Sequence, residues 1–311
     1  NAFELYSLPL IKEKSIVGIV GRNGIGKSTA LNILSGILKP NLGDFKSKVK
    51  EDDIINYFSK THLKDYFKKL FNNKIKIAYK PQRVELIPQI YQGKVIDLLE
   101  RHDEKNMGKE LLKELDLNEI KNKDISKISG GELQRLAIIS CLIKNSDAIY
   151  LDEPASFLDI TYRIKVAKLI REFAQKTSTL VVEHDLATLD YISDEIQIAY
   201  GEHACYGTFS QSKSVRRGIN EYLDGYLPEE NIRFRDYKIN FMIPNVEAGK
   251  TPVLISFPEF EKTYDSFKLK VNQGELKKSQ VLAIMGSNAL GKTTFLKILA
   301  GIENPDKKKI E

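Results

Sequence analysis

Gly21-Arg22-Asn23-Gly24-Ile25-Gly26-Lys27-Ser28 carries the pattern G-x-x-x-x-G-K-S, the loop with which nucleoside triphosphatases cradle phosphate groups. Its surroundings are those the motif requires. Ser15 to Val20 is a short apolar run of strand length, and Thr29-Ala30-Leu31-Asn32-Ile33-Leu34 continues with apolar residues at helical spacing. Successive backbone N–H groups and a helix N-terminus then converge on one point, and both favour an anion there. The pattern predicts an α/β fold of the P-loop class, with Asn23, Gly24, Gly26, Lys27, Ser28 and Thr29 around a nucleotide. Lys27 reaches the β- and γ-phosphates, and the Ser28 hydroxyl ligates Mg²⁺. A glycine-rich turn that carries a lysine by chance is the competing reading. Strand, spacing and helix together disfavour it.

The motif returns near the other end of the chain. Gly286-Ser287-Asn288-Ala289-Leu290-Gly291-Lys292-Thr293 reads G-x-x-x-x-G-K-T, after the strand-like run Gln280-Val281-Leu282-Ala283-Ile284 and before Thr294-Phe295-Leu296-Lys297-Ile298-Leu299-Ala300-Gly301. The two blocks form an internal repeat. Asn288, Gly291, Lys292, Thr293 and Thr294 are candidates for a second nucleotide site, with Thr293 toward its metal.

Between the loops lie further groups with phosphate chemistry. Ile75 to Tyr79 reads as a strand leading to Gln82, a single glutamine that is weak evidence in isolation. Ile128-Ser129-Gly130-Gly131-Glu132-Leu133-Gln134-Arg135 opens a helix to about Lys144, and Ser129 with two glycines at a helix start makes a second anion-directed nest without a lysine. Ala148-Ile149-Tyr150-Leu151-Asp152-Glu153 is a strand that ends in two carboxylates. Asp152 is placed to hold Mg²⁺, usually through water, and Glu153 to act as general base on the attacking water. Paired carboxylates at a strand end are more often a cap or a surface pair, but the phosphate loop, the Ser129 stretch and Asp159 weigh against that here. Ser178 to Val182 is a β-branched strand ending in Glu183-His184-Asp185. A lone histidine is more often structural, yet one that follows the carboxylate strand can face the γ-phosphate.

A length of 311 residues suits two domains, and 42% hydrophobic with 29% charged residues is the balance of a soluble globular protein. No apolar run approaches the ~18 residues of a membrane span, no signal peptide is visible, and two distant cysteines suit reduced thiols in a cytoplasmic protein. A first residue of Asn1 instead of Met suggests that the sequence starts inside a longer protein. The net charge of +6 allows a polyanionic partner without requiring one. The expected layout is a nucleotide domain over 1–209, a hinge over 210–237 and the start of a second such domain over 238–311. An insert at about 51–73 reads as two short amphipathic helices with aromatics on one face and lysines, including Lys64 and Lys68, on the rest. Composition leaves a solvated helix pair and RNA contact equally open for it. The hinge is rich in arginine and large side chains, with Arg216, Arg217, Arg233 and Arg235.

With Gln82, Ser129-Gly130-Gly131-Glu132, Asp152-Glu153, Asp159 and His184 in this order, the chain resembles an ABC-type ATPase. Two phosphate loops in one chain look like the soluble twin ATPases. Gly218-Ile219-Asn220, Leu223-Asp224-Gly225-Tyr226-Leu227-Pro228 and Glu230-Asn231-Ile232-Arg233-Phe234-Arg235 resemble the first hinge of subfamily E, the ribosome-recycling factors of archaea and eukaryotes once called RNase L inhibitors. Asn1-Ala2-Phe3, Lys39-Pro40-Asn41-Leu42-Gly43 and Val182-Glu183-His184-Asp185-Leu186 look like its first domain. The resemblance covers essentially the whole chain.

It implies an ATP-driven clamp that splits ribosomal subunits, with the small subunit, its rRNA and a release or rescue factor as partners, and no membrane. It implies Lys27, Ser28, Gln82, Asp152, Glu153 and His184 at the first ATP, and Ser129 to Glu132 acting across on the opposing one. Asp159 would lie in the loop that crosses to the partner domain, and Phe257 where an aromatic stacks on adenine. The insert and the Arg-rich hinge match regions that touch ribosomal RNA. The chain departs from the family pattern in lacking the domain with two [4Fe–4S] clusters and the remainder of the second nucleotide domain. Ala289 and Lys308 also stand where the first half has Gly24 and Gly43. From the missing trans signature the chain alone is expected to bind ATP at Lys27 and to hydrolyse it slowly. A transporter ATPase subunit, or a non-catalytic RNA- or ribosome-binding module with ATP as structural ligand, are the rival readings.

Overall fold

Ile16-Val17-Gly18-Ile19-Val20-Gly21 is buried at every position, as a strand must be when it has neighbours on both sides and layers on both faces. The computed structural model describes residues 3–44, 49–174, 177–240, 252–264, 267–288 and 290–306. The expectations that fall on Asn1, Ala2, Ala289 and Lys308 lie outside them. Two compact units are present: Asn1–Leu158 with Tyr162–Asn240, and Asp159–Thr161 with Phe241–Glu311.

The main strands of unit 1 are β1 (Glu4–Leu5), β2 (Ile16–Gly21), β3 (Ile77–Lys80), β4 (Ala148–Asp152), β5 (Ser178–Val182), β6 (Glu195–Glu202), β7 (Tyr206–Phe209) and β8 (Lys213–Ser214). They form one sheet in the order β1-β7-β6-β2-β5-β4-β3, with β8 also on β6. The five strands from β6 to β3 run parallel, and β7 and β8 are antiparallel to β6. Alternation along a strand sends successive side chains to opposite faces. On β4, Ile149 and Leu151 join one core cluster, while Ala148 and Tyr150 join the other.

The helices of unit 1 are α1 (Lys27–Leu34), α2 (Glu51–Tyr57), α3 (Leu63–Phe71), α4 (Ile87–Ile90), α5 (Val95–His102), α6 (Gly108–Glu114), α7 (Gly130–Leu142), α8 (Ile160–Ala174), α9 (Leu186–Ile192) and α10 (Val215–Asp224). One face of the sheet is covered by α5, α6, α7 and α8, the other by α1 with α2 and α3. Two helices, α2 and α3, stand where the insert is expected, and their aromatic face is core. Phe67 is fully buried, its ring 5.0 Å from Phe58 and 5.6 Å from Phe71. The Tyr66 hydroxyl meets that of Tyr150 at 2.7 Å and donates to the Leu34 carbonyl, which fastens the insert to β4 and α1. Lys64 and Lys68 stay on the solvent side.

Residues 210–237, read from the sequence as a hinge, pack on unit 1. The helix α10 lies against β6, Leu227 is fully buried, and Phe234 packs between Tyr200 and Tyr222. The large side chains that rule out a flexible tether are what cover this end of the sheet. Its charges are internally paired as well: Lys213, buried, lies 2.7 Å from Glu229 and 3.3 Å from Glu221.

Unit 2 holds two antiparallel pairs, β11 (Val253–Phe257) with β14 (Gly274–Lys277) and β12 (Phe260–Tyr264) with β13 (Phe267–Val271), and the helix α11 (Lys292–Leu299). The short pair β9 (Tyr226–Leu227) and β10 (Ile232–Arg233) precedes them in unit 1. Gln280 to Ile284 does not form the expected strand, and Val281 is 96% exposed. Composition made this stretch look like Ile16 to Gly21. A parallel core strand needs hydrogen-bonded neighbours on both edges, as β2 has in β5 and β6, and no described strand pairs with 280–284.

Burial pushes the Cys141 thiol up to about 12, from an ordinary value of 9.0, whereas Cys205 is exposed. Iodoacetamide at about pH 8 is therefore expected to label Cys205 alone in the folded chain and both cysteines after denaturation, counted by mass spectrometry. The folded thiol keeps its proton where an unfolded one loses it. Its stabilising share is thus complete below about pH 9 and falls as pH rises toward about 12.

Candidate nucleotide site

The loop after β2 is built around positive φ. Gly24 and Gly26 sit at φ 75° and 89°, a region costly for any residue with a Cβ. Space is short too, since a Cβ on Gly26 would stand 2.6 Å from the Phe3 ring. The turn throws the chain into α1, and Lys27 at its first position folds back over the loop. Its Nζ donates to the carbonyls of Gly21 (2.9 Å) and Arg22 (2.8 Å). Burial lowers the Lys27 pKa to about 8, against the pull of Glu153 and Asp152. A polyphosphate would reverse that penalty. Asn23 and Gly24 are exposed at the rim, and Ser28 and Thr29 are half-buried.

Asp152 ends β4 next to this loop. Burial raises its pKa, with the Ser28 hydroxyl opposing that shift first, and Lys80 and Lys27 opposing it more weakly. Both carboxylate oxygens are buried and make no regular hydrogen bond. A buried carboxylate left so is expensive unless a cation answers it. Asp152 and Ser28 therefore fit Mg²⁺, a hard cation that takes one or two protein oxygens together with phosphate oxygens and water. No cluster of three or more His, Cys, Asp or Glu suited to a metal occurs among the described residues, so an all-protein metal cage is not what this site offers.

Glu153 follows at φ 49°, a left-handed backbone that a non-glycine residue adopts only under constraint. Its Oε1 accepts from Gln82 Nε2 at 2.7 Å and lies 3.2 Å from His184 Nε2, and its Oε2 accepts from the Ser156 hydroxyl at 3.0 Å. Gln82, Glu153 and His184 come from the ends of three strands (β3, β4 and β5), and parallel pairing brings those ends together. The structure thus assembles Lys27, Ser28 and Asp152 on one side and Gln82, Glu153 and His184 on the other.

Ser129, Gly130, Gly131 and Glu132 form the start of α7. Ser129 does not present a free hydroxyl. It donates to Glu132 Oε2 at 2.7 Å and accepts from the Glu132 N–H at 3.3 Å, a capping box. Gly130 faces open space.

Three buried side chains at this site were not singled out by sequence. Lys80, 1% exposed, donates to the carbonyls of Asp152 (2.7 Å) and Glu153 (3.2 Å). Gln134, on α7, donates to the carbonyls of Glu153 (2.8 Å) and Pro154 (3.0 Å). Glu183 accepts from the N–H groups of Ala155 (3.0 Å) and His184 (2.8 Å). Lysine, glutamine and glutamate at element ends usually face water, and only the lysine just before Pro81-Gln82, closing an apolar strand, hinted otherwise.

The second loop repeats the first at the level of the backbone. Gly291 has φ 82°, and Lys292 Nζ donates to the carbonyls of Gly286 and Ser287, six and five residues back, as Lys27 does. Lys292 is half-buried, Asn288 and Thr293 are exposed and Thr294 is half-buried. Phe257, expected as an adenine platform, is packed among other aromatics. It is 9% exposed, with its ring 5.8 Å from Phe295 and 6.2 Å from Phe260, and its place is in the core of unit 2. Of the arginines expected at RNA, Arg235 is committed internally, donating to the carbonyls of Tyr222, Leu223 and Tyr237. Arg217 is paired with Glu221 and Glu229. Arg216 and Arg233 are exposed, the latter over the Tyr226 ring.

Residues 10–156 and 269–311 match the family model described as ABC transporter. An uncharacterized ABC transporter ATP-binding protein of Methanocaldococcus jannaschii is 48% identical over 98% of this chain and 50% of its own length. A crystal structure of an archaeal ribosome recycling factor in complex with the ribosomal stalk protein aP1 matches at 48% identity and TM-score 0.91, over 100% of this chain and 60% of that one. A model of ribosome-bound archaeal Pelota and ABCE1 matches at 46% identity and TM-score 0.90, over 100% and 52%. The chain spans about half the length of the curated relatives it matches.

Replacing Lys27 by Ala is expected to weaken ATP binding by at least ~100-fold, through loss of the phosphate contact. The melting temperature should stay level or rise, because the buried ammonium is held below its ordinary pKa. Equilibrium binding of a fluorescent ATP analogue and a thermal melt check the two halves.

Proposed function

We propose that this chain, which belongs to the ABC family of ATP-binding proteins and within it to subfamily E, hydrolyses the β–γ bond of ATP and couples that step to ribosome recycling. The observation that carries the reading is Glu153, a carboxylate fixed by Gln82, Ser156 and a strained turn, with His184 3.2 Å from the Oε1 that Gln82 also meets. Such a carboxylate, next to a phosphate loop, is placed to take a proton from a water in line with the γ-phosphate. Gln82 and His184 orient that water and the base. Lys27 exchanges the carbonyls of Gly21 and Arg22 for phosphate oxygens and stabilises charge as it moves to the leaving group. Ser28 and Asp152 would hold Mg²⁺, and Gln82 is proposed as a further ligand; the ion would supply neutralisation of phosphate charge.

Recycling, and within it the splitting of ribosomal subunits, is the finer part of the proposal. Its support is the descriptions of the solved relatives, which name a ribosome recycling factor, a stalk protein and a ribosome with Pelota. Two phosphate loops in one chain add support, because a transporter ATPase subunit needs only one. The partners proposed are the small subunit and its rRNA, a release or rescue factor, and the opposing half of a twin nucleotide domain. Residues 210–237 are the proposed hinge, and the insert over 51–73 the proposed rRNA contact. No described helix is long and apolar enough to cross a membrane.

Glu153→Gln is expected to retain ATP affinity and to lower single-turnover hydrolysis by at least ~100-fold, which quench-flow with labelled ATP reads. Unchanged hydrolysis would remove Glu153 from its role. For the ribosomal part, the pair Lys64→Glu and Lys68→Glu should weaken co-sedimentation with small subunits about tenfold and flatten its salt dependence by about two ions. Binding insensitive to both charges would place the contact elsewhere.

A further inference from the structure

Glu153 is held from behind as well as from its carboxylate. The same main-chain oxygen, the Glu153 carbonyl, accepts from Lys80 at 3.2 Å and from Gln134 at 2.8 Å, while the Glu153 N–H donates to Val182 at 2.8 Å. Lys80 also holds the carbonyl before it, that of Asp152, and Gln134 the one after it, that of Pro154. Three successive carbonyls around a left-handed residue are thus fixed by two side chains that are almost wholly buried.

Their origins give this arrangement meaning. Lys80 ends β3 two residues before Gln82, whose amide touches the Glu153 carboxylate. Gln134 lies on α7 two residues after Glu132, which caps the helix start at Ser129. A shift of either element therefore arrives at one oxygen.

Stability alone does not account for the two residues. Gln134 Oε1 is buried with no hydrogen-bond partner, so the amide is kept for its two donors despite an unanswered acceptor. Only its NH₂ can face two carbonyl oxygens, which fixes the orientation. Both described hydrogen bonds of the buried Lys80 ammonium also go to main-chain carbonyls, while its charge faces the Asp152, Glu153 and Glu183 carboxylates without a described hydrogen bond to them.

We propose that Lys80 and Gln134 are positioning residues that set Glu153 for hydrolysis and join the Gln82 strand and the Ser129 helix to it. The proposal rests on the hydrolytic reading of Glu153. Neither residue contacts nucleotide. Each acts through the backbone of residues 152–154, and Lys80 also through its charge beside the Asp152 and Glu153 carboxylates.

The test uses Lys80→Met and Gln134→Met in the full chain, which keep side-chain length and remove the donors, beside Glu153→Gln. Each Met variant should bind ATP within about twofold of the parent and lose on the order of 10- to 100-fold in single-turnover rate, the scale of a catalytic group displaced by about an ångström. The double variant should lose little more than the worse single one, because both act on one carbonyl. Hydrogen exchange should rise in peptides covering Asp152 to Leu158 and stay unchanged around Lys27. If Lys80→Met fails to fold, Gln134→Met carries the same criteria alone. Rates within twofold of the parent, multiplicative losses in the double variant, or unchanged exchange at 152–158 would overturn the proposal. If instead Glu153→Gln itself leaves the rate unchanged, it is the hydrolytic reading that fails.

Discussion

Four charged side chains, Lys27, Lys80, Asp152 and Glu183, are buried together at the carboxyl ends of neighbouring parallel strands. Removing such groups from water is unfavourable unless dipoles or opposite charges replace the solvent. Here the replacement is largely main chain. Lys27 takes the carbonyls of its own loop, Lys80 those of Asp152 and Glu153, and Glu183 the N–H groups of Ala155 and His184. The sheet has to hold these peptide groups in place, so the register of β2, β3, β4 and β5 and the chemistry of the site are one constraint. Asp152 has no main-chain donor of this kind; the Ser28 hydroxyl and the charges of Lys80 and Lys27 face it, and it is the carboxylate proposed for a cation.

The same economy explains the periphery of unit 1. Large side chains in the insert and in residues 210–237 serve the fold on one face and leave charge on the other. Phe58, Phe67 and Phe71 are core while Lys64 and Lys68 face water. Tyr222 and Phe234 are stacked while Arg216 stays outside. Aromatic and basic residues interleaved in sequence look alike whether they bind RNA or close a core. Only the direction of each side chain separates the two, which is why Arg235 reads as a surface group and is found binding three carbonyls.

Unit 2 makes the same point from the opposite side. Its phosphate loop curls Lys292 onto Gly286 and Ser287 as the first loop curls Lys27. That geometry is local, set by glycine φ and a lysine six residues along. The strand before it is not local. Gln280 to Ile284 is apolar like Ile16 to Gly21 yet forms no strand and pairs with none among the described residues, because hydrogen bonds to neighbours make a parallel strand.

What the sequence determined by itself is what short-range rules govern. The two phosphate loops, the helices that follow them, the α2–α3 insert and the carboxylates at the end of β4 could each be read from spacing and side-chain type. The meeting of Gln82, Glu153 and His184 was implied only by the family resemblance, and the parallel pairing of β3, β4 and β5 is what brings their strand ends together. Tertiary structure alone decided the rest. It turned Phe257 into core, occupied the Ser129 hydroxyl with Glu132, built residues 210–237 onto β6, and brought Lys80 and Gln134 to one carbonyl oxygen. Lys80 and Gln134 are 54 positions apart in the chain. No periodicity links them, and their meeting depends on where β3 and α7 pack against the end of β4.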